Sequence, residues 1–230
     1  MTRFGETLLL FRDLVSRADD DINLPAAALV MARVHHDSLR IESPLRALED
    51  LATEAAEKMS GCPVGDELVR LTKIVFSDMA FEGNTRDYYD PRNSCLNDVI
   101  ETRTGLPITL GIVYMAIAER CGRQTEGVGF PGHFIVRDVR TGVLLDPFRF
   151  GRPLDREELL ELLRQQGVES PQWDDDLIAA VGKRQILERM LNNLRNSYVR
   201  RLDPERIEAV DALSRALEEV RDEGPGSMVQ

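Results

Sequence analysis

The sequence predicts an α+β fold in which a small antiparallel sheet packs on a buried helix, flanked by N-terminal and C-terminal helices. Three observations lead there. Roughly the first 90 residues place apolar side chains at helical spacing between clusters of Ser, Asp, Gly and Pro. The stretch 107–120 is apolar almost all round (Leu110, Ile112, Val113, Met115, Ile117), the pattern of a helix in the middle of a fold. Beyond Gly122 the period shortens to β-type segments, and helical spacing returns after Asp155.

Taken in chain order, the first helix is expected over 6–17 and the second over 25–37. The third runs to about residue 59, capped by Ser43 with Pro44 at its first position. A fourth follows Gly65, where Leu68, Leu71, Val75 and Met79 line one face at spacings of three and four. Residues 81–94, rich in Gly, Asn, Asp and Pro, form an irregular connection. Ser94 then caps a short helix through 102, Gly105 suits the left-handed position past its end, and Pro107 opens the buried helix. Strands are expected over 126–130, 132–138 and 143–146, with Arg140-Thr141-Gly142 turning between the last two. Asp155 caps a helix over 156–166, and two long amphipathic helices follow over 183–201 and 204–222. The expected organisation is an N-terminal helical subdomain (1–90), a core (91–168), a C-terminal helical hairpin (169–223) and a disordered tail (224–230).

Composition narrows the function. A formal net charge of −11 repels a phosphate backbone, so nucleic acid is not an expected partner. The longest apolar runs fall far short of the ~20 residues that cross a bilayer, and the N-terminus lacks the pattern of a signal peptide, so a cytoplasmic location without membrane association is expected. Cys62, Cys95 and Cys121 are odd in number and widely spaced, which argues against a disulfide framework or a zinc ribbon. Neighbouring His35 and His36 on a helix diverge by about 100° and do not chelate one ion together. Asp19-Asp20-Asp21 and Asp174-Asp175-Asp176 lack the alternation and central Gly of a calcium loop and read as turns and caps. No metal or other cofactor is expected.

Three polar residues stand in apolar surroundings: Thr109 in Leu106-Pro107-Ile108-Thr109-Leu110-Gly111, His133 in Phe130-Pro131-Gly132-His133-Phe134, and Asp146 in Leu144-Leu145-Asp146-Pro147-Phe148. Thr109 sits in the first turn of the buried helix, where free N–H groups and the helix dipole favour negative charge. A reactive thiol placed there would be activated by the same field. His133 and Asp146 fall on adjacent expected strands, where antiparallel pairing would hold them side by side, the Asp orienting the imidazole. Cys95, also near a helix start, is a rival nucleophile that reads better as a small packing residue.

These segments, together with Asp87-Tyr88-Tyr89-Asp90-Pro91, Asn93-Ser94 and Arg103-Thr104-Gly105, closely resemble the bacterial SirB-type family, the second transglutaminase-like core family. Residues 184–194 resemble its helical C-terminal segment more weakly; a tetratricopeptide-like region often follows in that family, and this chain has length for one such helix pair. The resemblance implies a transglutaminase-like, papain-related core with Thr109, His133 and Asp146 at the triad positions. It also implies that Thr109 stands where active members have the nucleophilic cysteine. Two functions follow as expectations: a binding or regulatory module that recognises a protein or peptide, or an amide hydrolase or acyltransferase using Thr109, His133 and Asp146. The oligomeric state is not legible.

Overall fold

The computed structural model describes residues 3–223, and the tail 224–230 lies outside them. In chain order the elements are α1 (Arg3–Val15), α2 (Leu24–Met31), α3 (Glu42–Met59), α4 (Glu67–Lys73), β1 (Glu82–Gly83), α5 (Leu96–Thr102), β2 (Thr104–Gly105) and α6 (Pro107–Arg120). The sheet strands β3 (Thr125–Val128), β4 (Ile135–Asp138), β5 (Leu144–Asp146) and β6 (Arg152–Leu154) come next, then α7 (Arg156–Gln165), α8 (Lys183–Arg201) and α9 (Pro204–Glu223). The fold class is α+β.

By packing, the chain forms two compact units. The first gathers three separate stretches: residues up to Ala47, Thr85–Thr102, and residues from Gly182. It is helical. Thr7, Phe11 and Val15 recur every fourth residue and give α1 one buried stripe. Asn23 caps α2 by accepting from the Ala26 N–H at 3.0 Å, and the helix behind it is buried on all sides. Ile186, Leu187, Met190, Leu191 and Leu194 of α8 and Val210, Leu213 and Leu217 of α9 complete this core, with α8 on α9 and α2 and α9 on α1. The acidic run 19–21 has a specific use: Asp19 accepts from the backbone N–H groups of Lys183 (2.8 Å) and Arg184 (2.9 Å), capping α8 from a distant part of the chain. Between these helices the Asp87–Ser94 segment is tied to itself. Asn93 donates to the Asp87 and Tyr88 carbonyls, and Asp90 accepts from the Arg92 backbone and guanidinium.

The second unit, Leu48–Asn84 with Arg103–Val181, contains all the strands. Its sheet has the order β3-β4-β5-β6, antiparallel throughout, with Val128 opposite Ile135 and Val136 opposite Leu145. Alternation along β4 sorts the two faces. Ile135 packs with Val128, Leu144 and Leu154 against Leu159, Leu162 and Leu163 of α7. Phe134 and Val136 meet α6 instead. Gly111 permits that approach, because a Cβ there would stand 2.6 Å from the Phe134 ring. Under the sheet edge, buried Arg123 donates to Asp138 at 2.9 and 2.6 Å, and Asp138 also accepts from the Thr141 backbone and hydroxyl, fixing the turn into β5.

The structure departs from the sequence expectations in several places, among them Ser94, whose hydroxyl does not cap α5, a helix that begins at Leu96. Helical hydrogen bonding in α3 already begins at Ile41, so Ser43 lies inside the helix and does not cap it. The second helix stops at Met31 and continues as a tight turn through Ala32–Val34. The fourth changes pitch at Ile74–Asp78, a π-turn in which the Met79 N–H reaches back to the Ile74 carbonyl. The left-handed position after α5 is filled by Arg103 (φ 61°), whose guanidinium stacks over Phe81, while Gly105 pairs in β2 with Gly83. Strand β6, like β1 and β2, was not expected. Its short Arg-Pro-Leu sequence has no period of its own, and pairing to β5 selects its conformation.

Candidate functional site

Thr109, His133 and Asp146 all belong to the sheet-containing unit. Asp146 closes β5 and is wholly buried. Its Oδ1 accepts from the backbone N–H groups of Phe148 (2.9 Å) and Arg149 (3.3 Å), which fixes the carboxylate as the cap of the following turn. The same oxygen lies 2.9 Å from His133 Nε2. His133 is set by the turn before it: its N–H donates to the Phe130 carbonyl at 3.0 Å, and Gly132 takes a left-handed φ of 61° that favours glycine. Thus the turn before β4 and the end of β5 bring these two side chains together, although His133 lies two residues ahead of β4 and not on a strand as expected. Arg149, which sequence reasoning did not single out, places its Nε 3.8 Å from Asp146 Oδ2. Its proximity follows from the turn that Asp146 caps, and an Asp-Pro-x-Arg spacing was the available signal.

His133 thus presents Nε2 to the Asp146 carboxylate. In a triad, an imidazole beside a carboxylate is one half of the arrangement. The other half differs. Thr109 is 0% exposed in the first turn of α6. Its hydroxyl accepts from the Leu106 N–H at 3.0 Å and donates to the Leu106 carbonyl at 3.1 Å, closing the helix start on itself. Helix α6 packs on β3, β4 and the turn after Asp146, and Gly111, two residues past Thr109, touches Phe134, the neighbour of His133. Two open depressions on this unit, of 490 and 570 Å³, are lined by other residues, among them Lys58, Arg70 and Lys73 in the first and Val69, Phe76 and Phe150 in the second.

Two of the cysteines carry thiols raised above the ordinary range. Cys95 belongs to the helical unit and is 0% exposed; it precedes α5 instead of standing in its first turn. Burial, then the nearby Asp98 and Asp90 carboxylates, push its thiol well above the ordinary range. Cys121, at the end of α6, is also raised by burial. No helix among the described residues is long and apolar enough to cross a membrane.

Comparison with known proteins agrees with this architecture. A family model described as the transglutaminase-like superfamily matches residues 42–192. A UPF0162 protein of Xylella fastidiosa is 37% identical over 201 residues, covering 83% of this chain and 70% of the relative. A UPF0162 protein of Pseudomonas aeruginosa is 31% identical over 177 residues, covering 75% and 63%. F-box only protein 21 of Mus musculus is 27% identical over 194 residues, which is 80% of this chain and 28% of that protein. No solved structure matches. A sheet flanked by a buried helix, the segment matched by the family model and the similarity to UPF0162 proteins converge, and the chain belongs to the transglutaminase-like superfamily as a member of the UPF0162 family.

Proposed function

We propose that this chain is a protein- or peptide-binding module built on a transglutaminase-like core of the SirB type, without thiol catalysis. The observation on which the reading rests is Thr109, wholly buried with its hydroxyl bonded in both directions to the Leu106 backbone. A hydroxyl has no useful anionic fraction near neutral pH, and this one donates to the Leu106 carbonyl at 3.1 Å. In this reading the core (91–168) provides the binding surface; the N-terminal helices (1–90) and a tetratricopeptide-like hairpin (169–223) flank it. The similarity to 28% of F-box only protein 21, a much longer chain, supports a segment that recurs as one part of larger proteins. The net charge of −11 favours protein over nucleic-acid partners, and three unbridged cysteines suit a cytoplasmic setting.

The 2.9 Å approach of His133 to Asp146 favours a second reading, an amide hydrolase or acyltransferase with Thr109 as nucleophile. One experiment separates the two. Purified protein is assayed against a panel of acyl and amide substrates, and the same preparation is screened on a peptide array. The module reading expects no turnover above that of His133→Ala, and peptide binding unchanged by Thr109→Ser. Turnover that His133→Ala abolishes would overturn it in favour of the hydrolase.

A further inference from the structure

Away from the His133–Asp146 pair, the helical unit brings together three side chains of metal-ligating chemistry. His36, just past the end of α2, places Nε2 2.7 Å from Asp98 Oδ2 on α5. Cys95, one helical turn before Asp98, directs its thiol into the same space. All three potential ligand atoms lie within 4.8 Å of one another. We propose that His36, Cys95 and Asp98 form a binding site for a thiophilic divalent transition metal, of which Zn²⁺ is the natural example.

The geometry is close to what coordination requires. A tetrahedral ion with a metal–sulfur distance of about 2.3 Å and metal–nitrogen and metal–oxygen distances of about 2.0–2.2 Å separates its ligand atoms by about 3.4–3.6 Å. His36 and Asp98 therefore open slightly from 2.7 Å, and the sulfur closes from within 4.8 Å. Cys95 and Asp98 share the rigid start of α5, where the Thr102 hydroxyl bonds the Asp98 carbonyl at 2.8 Å. His36 is held on its flank by the His35 ring, edge-on at 4.7 Å, and His35 is itself fixed by the Tyr198 hydroxyl at 3.0 Å from Nδ1. Ligand rings oriented by neighbours are a usual part of metal sites.

The donor set also explains why a thiol sits where no thiolate would form by itself. Cys95 is 0% exposed beside two carboxylates, and its thiol donates to the Pro91 carbonyl at 3.4 Å. A dication among these groups inverts the local balance: it neutralises the carboxylate and stabilises the thiolate, the thiol proton leaving to solvent as the metal–sulfur bond forms. Three protein ligands leave a fourth position, and the partly exposed His36 edge gives water access to it. Sequence spacing concealed the site, since Cys95 and Asp98 are three residues apart but His36 lies far upstream, outside any local ligand motif.

The test uses the full chain, stripped with chelator and titrated with Co²⁺, whose thiolate charge-transfer absorption reports a cobalt–sulfur bond. One Co²⁺ per chain with this band is expected. The band should vanish in Cys95→Ser, persist in Cys62→Ser and Cys121→Ser, and need at least tenfold more Co²⁺ in His36→Gln and Asp98→Asn. Absence of the band at millimolar Co²⁺, or its survival in Cys95→Ser, would overturn the proposal. Should Cys95→Ser not fold, His36→Gln decides at a partly exposed position: unchanged Co²⁺ affinity there refutes the site.

Discussion

Replacing Thr109 with Val tests whether its hydroxyl is a structural tie. The substitution keeps the β-branched shape and removes one polar atom. The hydroxyl's bonds to Leu106, at 3.0 and 3.1 Å, are lost. They are not equivalent. The Leu106 carbonyl keeps a second donor, the Leu110 N–H at 3.0 Å, so its loss is small. The Leu106 N–H is left without the Thr109 oxygen in a residue only 2% exposed, where water does not replace it. A stranded buried donor costs about 1–3 kcal/mol, and the added methyl returns up to about 0.8 kcal/mol of apolar burial. The expected net loss is about 1–2 kcal/mol, which in a chain of this size lowers Tm by about 2–8 °C. Urea unfolding of wild type, Thr109→Val and Thr109→Ser, followed by circular dichroism with matched slopes, measures it. Ser should stay within about 1 kcal/mol of wild type, because it keeps both bonds. If Val proves as stable as wild type, the hydroxyl is not held by Leu106 and the structural reading of position 109 fails.

Three further outcomes follow from the packing. Gly111→Ala gains about 1 kcal/mol of helix propensity, but the new Cβ would meet Phe134 at 2.6 Å, so a net loss of about 1–2 kcal/mol is expected from overpacking, read as a lower denaturation midpoint. Arg123→Gln leaves buried Asp138 without its cation and should cost about 3–5 kcal/mol at pH 7. Burial alone would raise the Asp138 carboxyl, but the Thr141 and Arg123 hydrogen bonds outweigh it and hold it below its ordinary value. Its stabilisation is therefore complete above the ordinary carboxylate range near ~4 and drains away as pH falls through the lowered value; Arg123→Gln should flatten that acid limb in a series of melts. Asp19→Ala removes the acceptor for the first N–H groups of α8 and should cost about 1–2 kcal/mol, with faster hydrogen exchange confined to the first turn of that helix.

What the sequence disclosed depended on the range of the forces involved. Helix α6 was legible because Pro107 at its start and apolar residues on every side admit one reading. Helix α7 was legible because its cap is local: Asp155 and Glu158 bond each other's backbone three residues apart. The approach of His133 to Asp146 was legible because a short turn joins β4, which follows His133, to β5, which ends at Asp146. The capping of α8 by Asp19 and the approach of His36 to Asp98 were not, since neither pair shares a period or a neighbouring element. The π-turn at Ile74–Asp78 was hidden for another reason. Its residues keep a helical apolar spacing, and the widened pitch shows only in the backbone bonds around Met79.

The assembly of the helical unit from three separated stretches bears on how the chain acquires its structure. Helices α1 and α2 leave the ribosome long before α8 and α9, which cover their apolar faces. Their contacts are among the most distant in sequence, and closing such loops is slow compared with local pairing. The sheet, by contrast, is made of hairpins between consecutive strands. Synthesis therefore exposes the Phe11 and Leu29 faces for as long as it takes to make the remainder of the chain, and a lesion in α8 should show itself first as aggregation of nascent protein and only second as a lower melting temperature.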